Sequence, residues 1–405
     1  MSRYLSPLVS GPEALRPDPI RSFVRKANEL EKRTGRRIIR LNIGQPDLPP
    51  AEILRAYEEG LRDPKYVSSS SYPPCEGIDP LREAISVTEE RCFGVEAEPS
   101  RFYITLGGCG ALKFVFKVLG AGRGQVKELI AVAPGWGVIS NFAWEYGIKV
   151  RFSPLISPNG EFLSDRAQEM VNGDTVGIYV NSPNNPTGGL MKEEAVRDVL
   201  SFARDNDIWV ISDEAYQNLV FSPDERHISF ASFKDYSDRV FKCISFSKVL
   251  KPNSRLGALL LPEGLGKDVM DAFFVALRNE GAGVSAEVQS AALRVLEADP
   301  ELLYMNRVNK GYREKVSVAK DLLEEAGCRF SSYNEPKAGF YVFPEVPVRD
   351  SLALTERLLE GGVSVVPGVS FHLDSHIRIA VGNNMSLEQV REGLERITRT
   401  LSQGL

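Results

Sequence analysis

At 405 residues the chain is longer than one hydrophobic core usually supports, so two domains are the starting expectation. Its 43% hydrophobic, 25% charged and 9% aromatic content is that of a globular protein, and a net charge of -5 argues against nucleic acid or an anionic membrane as main partner. No apolar run reaches the roughly 20 residues of a membrane helix, and the opening MSRYLSPLVSGPEALRPDP lacks the basic-then-apolar pattern of a secretory signal.

The proline-rich residues 1–19 are predicted to form an arm, followed by a helix over residues 20–33 with Phe23, Val24, Ala27 and Leu30 at helical spacing. Asp79 and Pro80 suggest an N-cap and a first helical residue, with Leu81, Ala84, Ile85 and Thr88 as the apolar stripe and Gly94 as the stop. From residue 101 to 261 short apolar runs alternate with helical ones: ELIAVAP, TVGIYVNSP, IWVISDEAY, VFKCISFS and LGALLLP. That alternation predicts an α/β fold with a mostly parallel sheet, and Val196, Val199, Leu200 and Ala203 mark one crossover helix. The glycine run GAGRG at residues 120–124 follows a helix rather than a strand, so it predicts a helix terminus and loop instead of a dinucleotide fingerprint. Helices over residues 286–298 and 304–326 then lead to short strands at GFYVFP, VSVVPG and HIRIAV, the pattern of a smaller α+β domain. The expected division is residues 1–50 as arm and part of the small domain, 51–285 as a large domain, and 286–405 as linking helix and C-terminal small domain.

Cys75, Cys92, Cys109, Cys243 and Cys328 are odd in number and contain no C-x-x-C pair, which predicts a reduced, cytoplasmic setting. His227, His372 and His376 are too few and too isolated to predict a metal site.

Three successive strand ends carry unusual polar residues. Asn181 to Gly189, NSPNNPTGG, is a loop of turn formers; Asp213 follows an apolar run, where an acid is costly unless something positive meets it; Lys248 ends the run Val240, Phe241, Cys243, Ile244 and Phe246. Asn185 and Asp213 lie 28 residues apart and Asp213 and Lys248 lie 35 apart, each close to one βα repeat, so their side chains can converge on one crevice at the carboxyl ends of the strands. Lysine in such a crevice suits attack on a carbonyl. The stretch TLGGCGALKFVF puts two glycines at the start of an apolar helix whose first amides can cradle a phosphate. A lysine, an acid, hydroxyls, an arginine and an amide-lined helix start together suit pyridoxal 5'-phosphate.

With NIGQPD, YPPCEGIDPLREAI, GGCGA, PGWG, NSPNNPTG, SDEAY, SFSK, SRLG, GVSVVPG and IRIAVG in order, the chain resembles the class I/II aminotransferases of the fold type I pyridoxal-phosphate family from about residue 38 to 382. The resemblance implies a pyridoxal-phosphate enzyme moving an amino group from an α-amino acid to a 2-oxo acid such as 2-oxoglutarate. It implies Lys248 as the Schiff-base lysine, Asp213 as the partner of the ring nitrogen, and Asn185 and Tyr216 as donors to the phenolic oxygen. Trp136 is implied as the aromatic on the ring face, and Gly108, Cys109, Ser245 and Arg255 as the phosphate cup, with Tyr72 contributed by the other subunit of a homodimer. Arg378 would bind the substrate α-carboxylate beside Gly44. Cys109 departs from the pattern, because relatives often carry a stronger donor there, and so does His372, which stands where glycine is common. A carbon-sulfur lyase or cyclopropane-forming synthase would use the same residues, and a ligand-sensing module the same fold.

Overall fold

The structure, a computed structural model, describes residues 19–120, 125–279 and 283–403. The predicted arm and most of GAGRG therefore lie outside the described residues. β1 (Ile39–Arg40) precedes the main sheet, whose strands are β2 (Phe102–Leu106), β3 (Lys127–Val132), β4 (Ile148–Ser153), β5 (Thr175–Asn181), β6 (Trp209–Asp213), β7 (Val240–Ser245) and β8 (Leu256–Leu260). These seven run in the order β2-β8-β7-β6-β5-β3-β4. Pairs β3–β4, β3–β5, β5–β6 and β6–β7 are parallel, whereas β8 is antiparallel to both neighbours. The reason is the connection: residues 246–255 are too few for a parallel crossover, so the chain turns straight back into β8.

Helices cover both faces. Helix Glu193–Asp205 buries Val196, Val199, Leu200 and Ala203, the predicted stripe, against one face of the sheet. Helix Gly107–Leu119 buries Ala111, Leu112, Phe114, Val115 and Phe116 against the other. The helix predicted from Asp79 and Pro80 spans Asp79–Phe93 and ends on left-handed Gly94, but its N-cap is Ile78. Asp79 is already helical, and its carboxylate accepts from Arg82 at 3.0 Å instead of capping.

The smaller unit is built from β9 (Tyr341–Val342), β10 (Val363–Ser364), β11 (Val366–Pro367) and β12 (Ile377–Ala380). The run VSVVPG, expected as one strand, is split at Val365: β10 pairs in parallel with β1, and β11 pairs antiparallel with β12, which continues to β9. We propose domain boundaries near residues 50 and 285 because β1, far away in sequence, completes the small unit through β10. The linking helix Ala286–Ala298 lies tight against helix Ala51–Leu61; a side chain at Gly60 would come within 2.5 Å of Ala291 Cα.

Candidate active site

β5, β6 and β7 are parallel neighbours with Asn181 opposite Asp213 and Asp213 opposite Cys243, so their carboxyl ends open together. A cleft of about 470 Å³ lies there. It is lined by Gly44, Gly108, Cys109, Trp136, Asn185, Asp213, Tyr216, Ser245, Lys248, Arg255 and Arg378. Every site residue anticipated from the sequence meets in it except Tyr72, which is 93% exposed. A larger hollow of about 860 Å³ lies elsewhere, beside Glu90, Arg101 and Lys234. Its cations are already paired, Lys234 with Glu96 at 2.6 Å and Arg101 with Glu263 at 3.7 Å, and no reactive group converges on it.

Lys248 ends a short 3-10 turn, Phe246–Lys248, that follows β7 directly. Its Nζ donates to the Gly44 carbonyl at 3.1 Å and lies 5.2 Å from the Tyr216 ring centroid and 5.6 Å from that of Phe340. A side chain at Gly44 would meet the Tyr341 hydroxyl at 2.5 Å, so glycine there lets the backbone close over the cleft.

Asp213 is buried, and burial pushes its carboxyl up to about 6, against hydrogen bonds that pull it down. Tyr179 donates to Oδ2 at 2.8 Å and the Ala215 amide to Oδ1 at 3.2 Å. Asn181 ties the two strand ends together, donating to the Asp213 carbonyl at 2.8 Å and accepting from the Asn185 amide at 2.7 Å.

Arg378, on β12, is 1% exposed. Its guanidinium donates to Asn185 Oδ1 at 3.0 Å and to the Asn42 carbonyl at 2.9 Å, and lies over the rings of Tyr341 and Phe371, 4.7 and 5.0 Å from their centroids. A guanidinium buried at the cleft against ring faces suits a carboxylate, which it can meet with two parallel hydrogen bonds.

The opposite end of the cleft suits a phosphate. Helix Gly107–Leu119 starts at Gly107, whose φ of +70 favours glycine, and a side chain there would come 3.2 Å from the Arg255 guanidinium. At Gly257 a side chain would lie 2.4 Å from Gly107 carbonyl carbon, so the strand and the helix start need glycines to approach this closely. Ser245 stands beside Gly108, and Ser247 Oγ is buried at the cleft without a hydrogen-bond partner among the described residues. Burial pushes the Cys109 thiol up, so it stays protonated and the anion site draws on amides, serines and Arg255. Free amides, an unpartnered hydroxyl and an arginine at one end, with a carboxylate and a lysine further in, fit pyridoxal phosphate.

Several lining residues escaped the sequence reading: Ile20 from helix Pro19–Thr34, Asn181, Ser247 and Tyr341; Arg21 of the same helix lines the cleft as well. Asn181 and Ser247 lie inside the motifs NSPNNPTGG and SFSK, beside the polar residues Asn185 and Lys248. Tyr341 comes from β9, and its hydroxyl lies 3.1 Å from that of Tyr216, a contact across 125 positions. His372 stacks on Phe152 at 3.9 Å between centroids, close behind Gly137 of the Trp136 loop.

A cleft of this kind on this sheet defines a pyridoxal-phosphate transferase. Residues 36–397 match the family "Aminotransferase class I and II". A probable aspartate/prephenate aminotransferase of Aquifex aeolicus is 28% identical over 98% of this chain and 99% of its own length. An LL-diaminopimelate aminotransferase of Natranaerobius thermophilus is 29% identical over 93% and 95%. Among solved structures, aspartate aminotransferase of Thermus thermophilus with maleate superimposes with a TM-score of 0.86 at 26% identity, covering 98% of this chain and all of the other. The chain belongs to the class I and II aminotransferases, pyridoxal-phosphate-dependent enzymes of fold type I.

Proposed function

We propose that the chain transfers the amino group of aspartate to 2-oxoglutarate, with Lys248, Asp213 and Arg378 as its working residues. The observation that carries the site assignment is the convergence of all three on one cleft, from the turn after β7, from β6 and from β12. The choice of aspartate is supported by the names of the Aquifex and Thermus relatives and by Arg21, a cation at the cleft wall besides those already given roles. Pyridoxal phosphate supplies the carbonyl that accepts the amino group and the ring that holds the electron pair released at Cα. Arg378 binds the α-carboxylate and thereby sets which Cα bond stands across the ring. Lys248 would hold and move the Cα proton, a transfer of the kind that contributes about 10² to 10⁴ in rate. Asp213 holds a proton at the ring nitrogen, Asn185 and Tyr216 orient the phenolic oxygen, and Trp136 keeps water from one face.

With aspartate alone, one equivalent of oxaloacetate per site is expected, and turnover only once 2-oxoglutarate is added. Continuous release of product without an acceptor would instead identify a lyase. Arg378→Leu should lower kcat/KM for aspartate by roughly a thousand-fold, the weight of a buried bidentate charge pair; a value near wild type would remove Arg378 from substrate binding.

Tyr72 is proposed to act across a two-fold dimer, since its exposed ring lies outside its own chain's cleft. Tyr72→Ala and Lys248→Ala subunits, each inactive alone, should regain activity when mixed under exchange. One site of each heterodimer then carries neither change, giving about a quarter of the native sites at equal mixing. Proven exchange with no recovery would exclude action in trans. All five cysteines are free, which supports a cytoplasmic setting.

A further inference from the structure

Among the described residues Asp213 is the one carboxylate lining the cleft, and the hydrogen bonds its side chain accepts come from neutral donors. One donor is the Ala215 amide on Oδ1; the other is the Tyr179 hydroxyl on Oδ2. Tyr179 stands two positions before Asn181, the register partner of Asp213, so it lies on the same face of the sheet as the carboxylate, one strand away. It is 1% exposed and belongs to the apolar cluster that contains Ala111, Leu129, Ala131, Ile211 and Cys243. It does not line the cleft and so touches no substrate.

We propose that Tyr179 is the positioning residue of Asp213: its hydroxyl holds Oδ2 against the sheet, leaves Oδ1 to meet a donor from the cleft, and compensates a buried carboxylate that no cation among the described residues contacts directly. This rests on the assignment of Asp213 to the cofactor's ring nitrogen. A phenol on a packed strand is a stiff donor, because the ring cannot turn without displacing its neighbours. Burial pushes the Tyr179 hydroxyl well above its ordinary range, so it donates at every working pH. The other groups that face Asp213 are Glu214 and Tyr216 of its own segment, Cys243 on β7, Cys109 on the helix starting at Gly107, and Lys248. Lys248 favours the ionised acid and Glu214 opposes it, while burial is the largest effect and favours the neutral acid. The Tyr179 bond is the largest effect on the side of ionisation.

The sign follows. With a carboxyl already raised by burial, losing a donor raises it further, so the ionised form, the one that holds a protonated ring nitrogen, is lost at higher pH. Tyr179→Phe keeps the ring and removes the donor. Pyridoxal phosphate dissociation from the holoenzyme, followed against pH, should show the acid limb displaced upward by about one pH unit, the size of one hydrogen bond to a charged group, and wild-type affinity at alkaline pH. The carboxyl carbon resonance of labelled Asp213 in cofactor-free protein should titrate higher by a similar amount. In an Asp213→Asn background the same change should have no further effect on affinity. A loss of affinity equal at every pH, no loss at all, or an additive effect in the Asp213→Asn background would each overturn the proposal. Asp213→Asn by itself leaving cofactor affinity and absorbance unchanged would be a different result: it would remove the assignment of Asp213 on which the proposal stands.

Discussion

A Lys248→Ala enzyme is expected to lose turnover by roughly ten-thousand-fold or more, because one residue supplies both the covalent attachment and the proton transfer. Its fold should survive. Lys248 sits in a 3-10 turn and donates to the Gly44 carbonyl beside the Tyr216 and Phe340 rings, so truncation removes these local contacts and buries no new charge. Cofactor should remain associated through Gly108, Ser245 and Arg255. Borohydride treatment and mass spectrometry give a readout independent of rate: reduction should fix the cofactor to the Lys248 peptide of the wild-type chain and to no peptide of the variant. A covalent adduct in the variant, or turnover within tenfold of wild type, would assign the attacking amine elsewhere.

Lys248, Asp213 and Asn185 were legible because each breaks a local rule. A lysine and an acid terminate apolar strands, and turn formers crowd one strand exit, so the chemistry stands out against the pattern of a buried parallel sheet. Arg378, a cation inside the strand IRIA, was reached only through the family resemblance. Tyr341 and Tyr179 break no rule: aromatic residues are ordinary in strands, and only the third dimension reveals that one reaches Tyr216 and the other Asp213. Strand direction was hidden for a related reason. LGALLLP has the composition of a parallel core strand, and its reversal comes from the short connection before it, while VSVVPG serves two sheets because its partners β1 and β12 come from opposite ends of the chain.

Lys242 was the least legible of all, since the apolar run around it reads as continuous without it. In the fold it is wholly buried on β7, where Nζ contacts Glu89, lies 3.0 Å from Glu214 Oε2 and 3.1 Å from Ser229 Oγ, and faces the Phe93 ring. Burial alone would lower its ammonium's titration, but Glu214 and Glu89 together outweigh that and raise it. Glu214 shows the complement: burial favours its neutral form, yet Lys242 and His227, the latter at 2.7 Å, hold its carboxyl down at about 2. Glu214 follows Asp213 directly, and its amide donates to the Cys243 carbonyl at 3.0 Å, so the network anchors the backbone from which Asp213 projects. Lys242→Met leaves Glu89 and Glu214 buried together without their shared cation, and should destabilise the fold by about 3 to 5 kcal/mol at neutral pH, measured by denaturant unfolding of the holoenzyme. A carboxyl depressed in the folded state contributes stability above its ordinary range near 4.5 and loses it as the pH falls towards about 2. The gap between wild type and Lys242→Met should accordingly be full at neutral pH and shrink through that acid window. Adding Glu89→Gln to Lys242→Met removes one of the two carboxylates that shared Lys242 and should recover part of the loss. A gap under about 1 kcal/mol at neutral pH, or one that does not change on acidification, would show that the buried lysine is neutral to stability and that His227, the serines and the Phe230 amide suffice to hold Glu214.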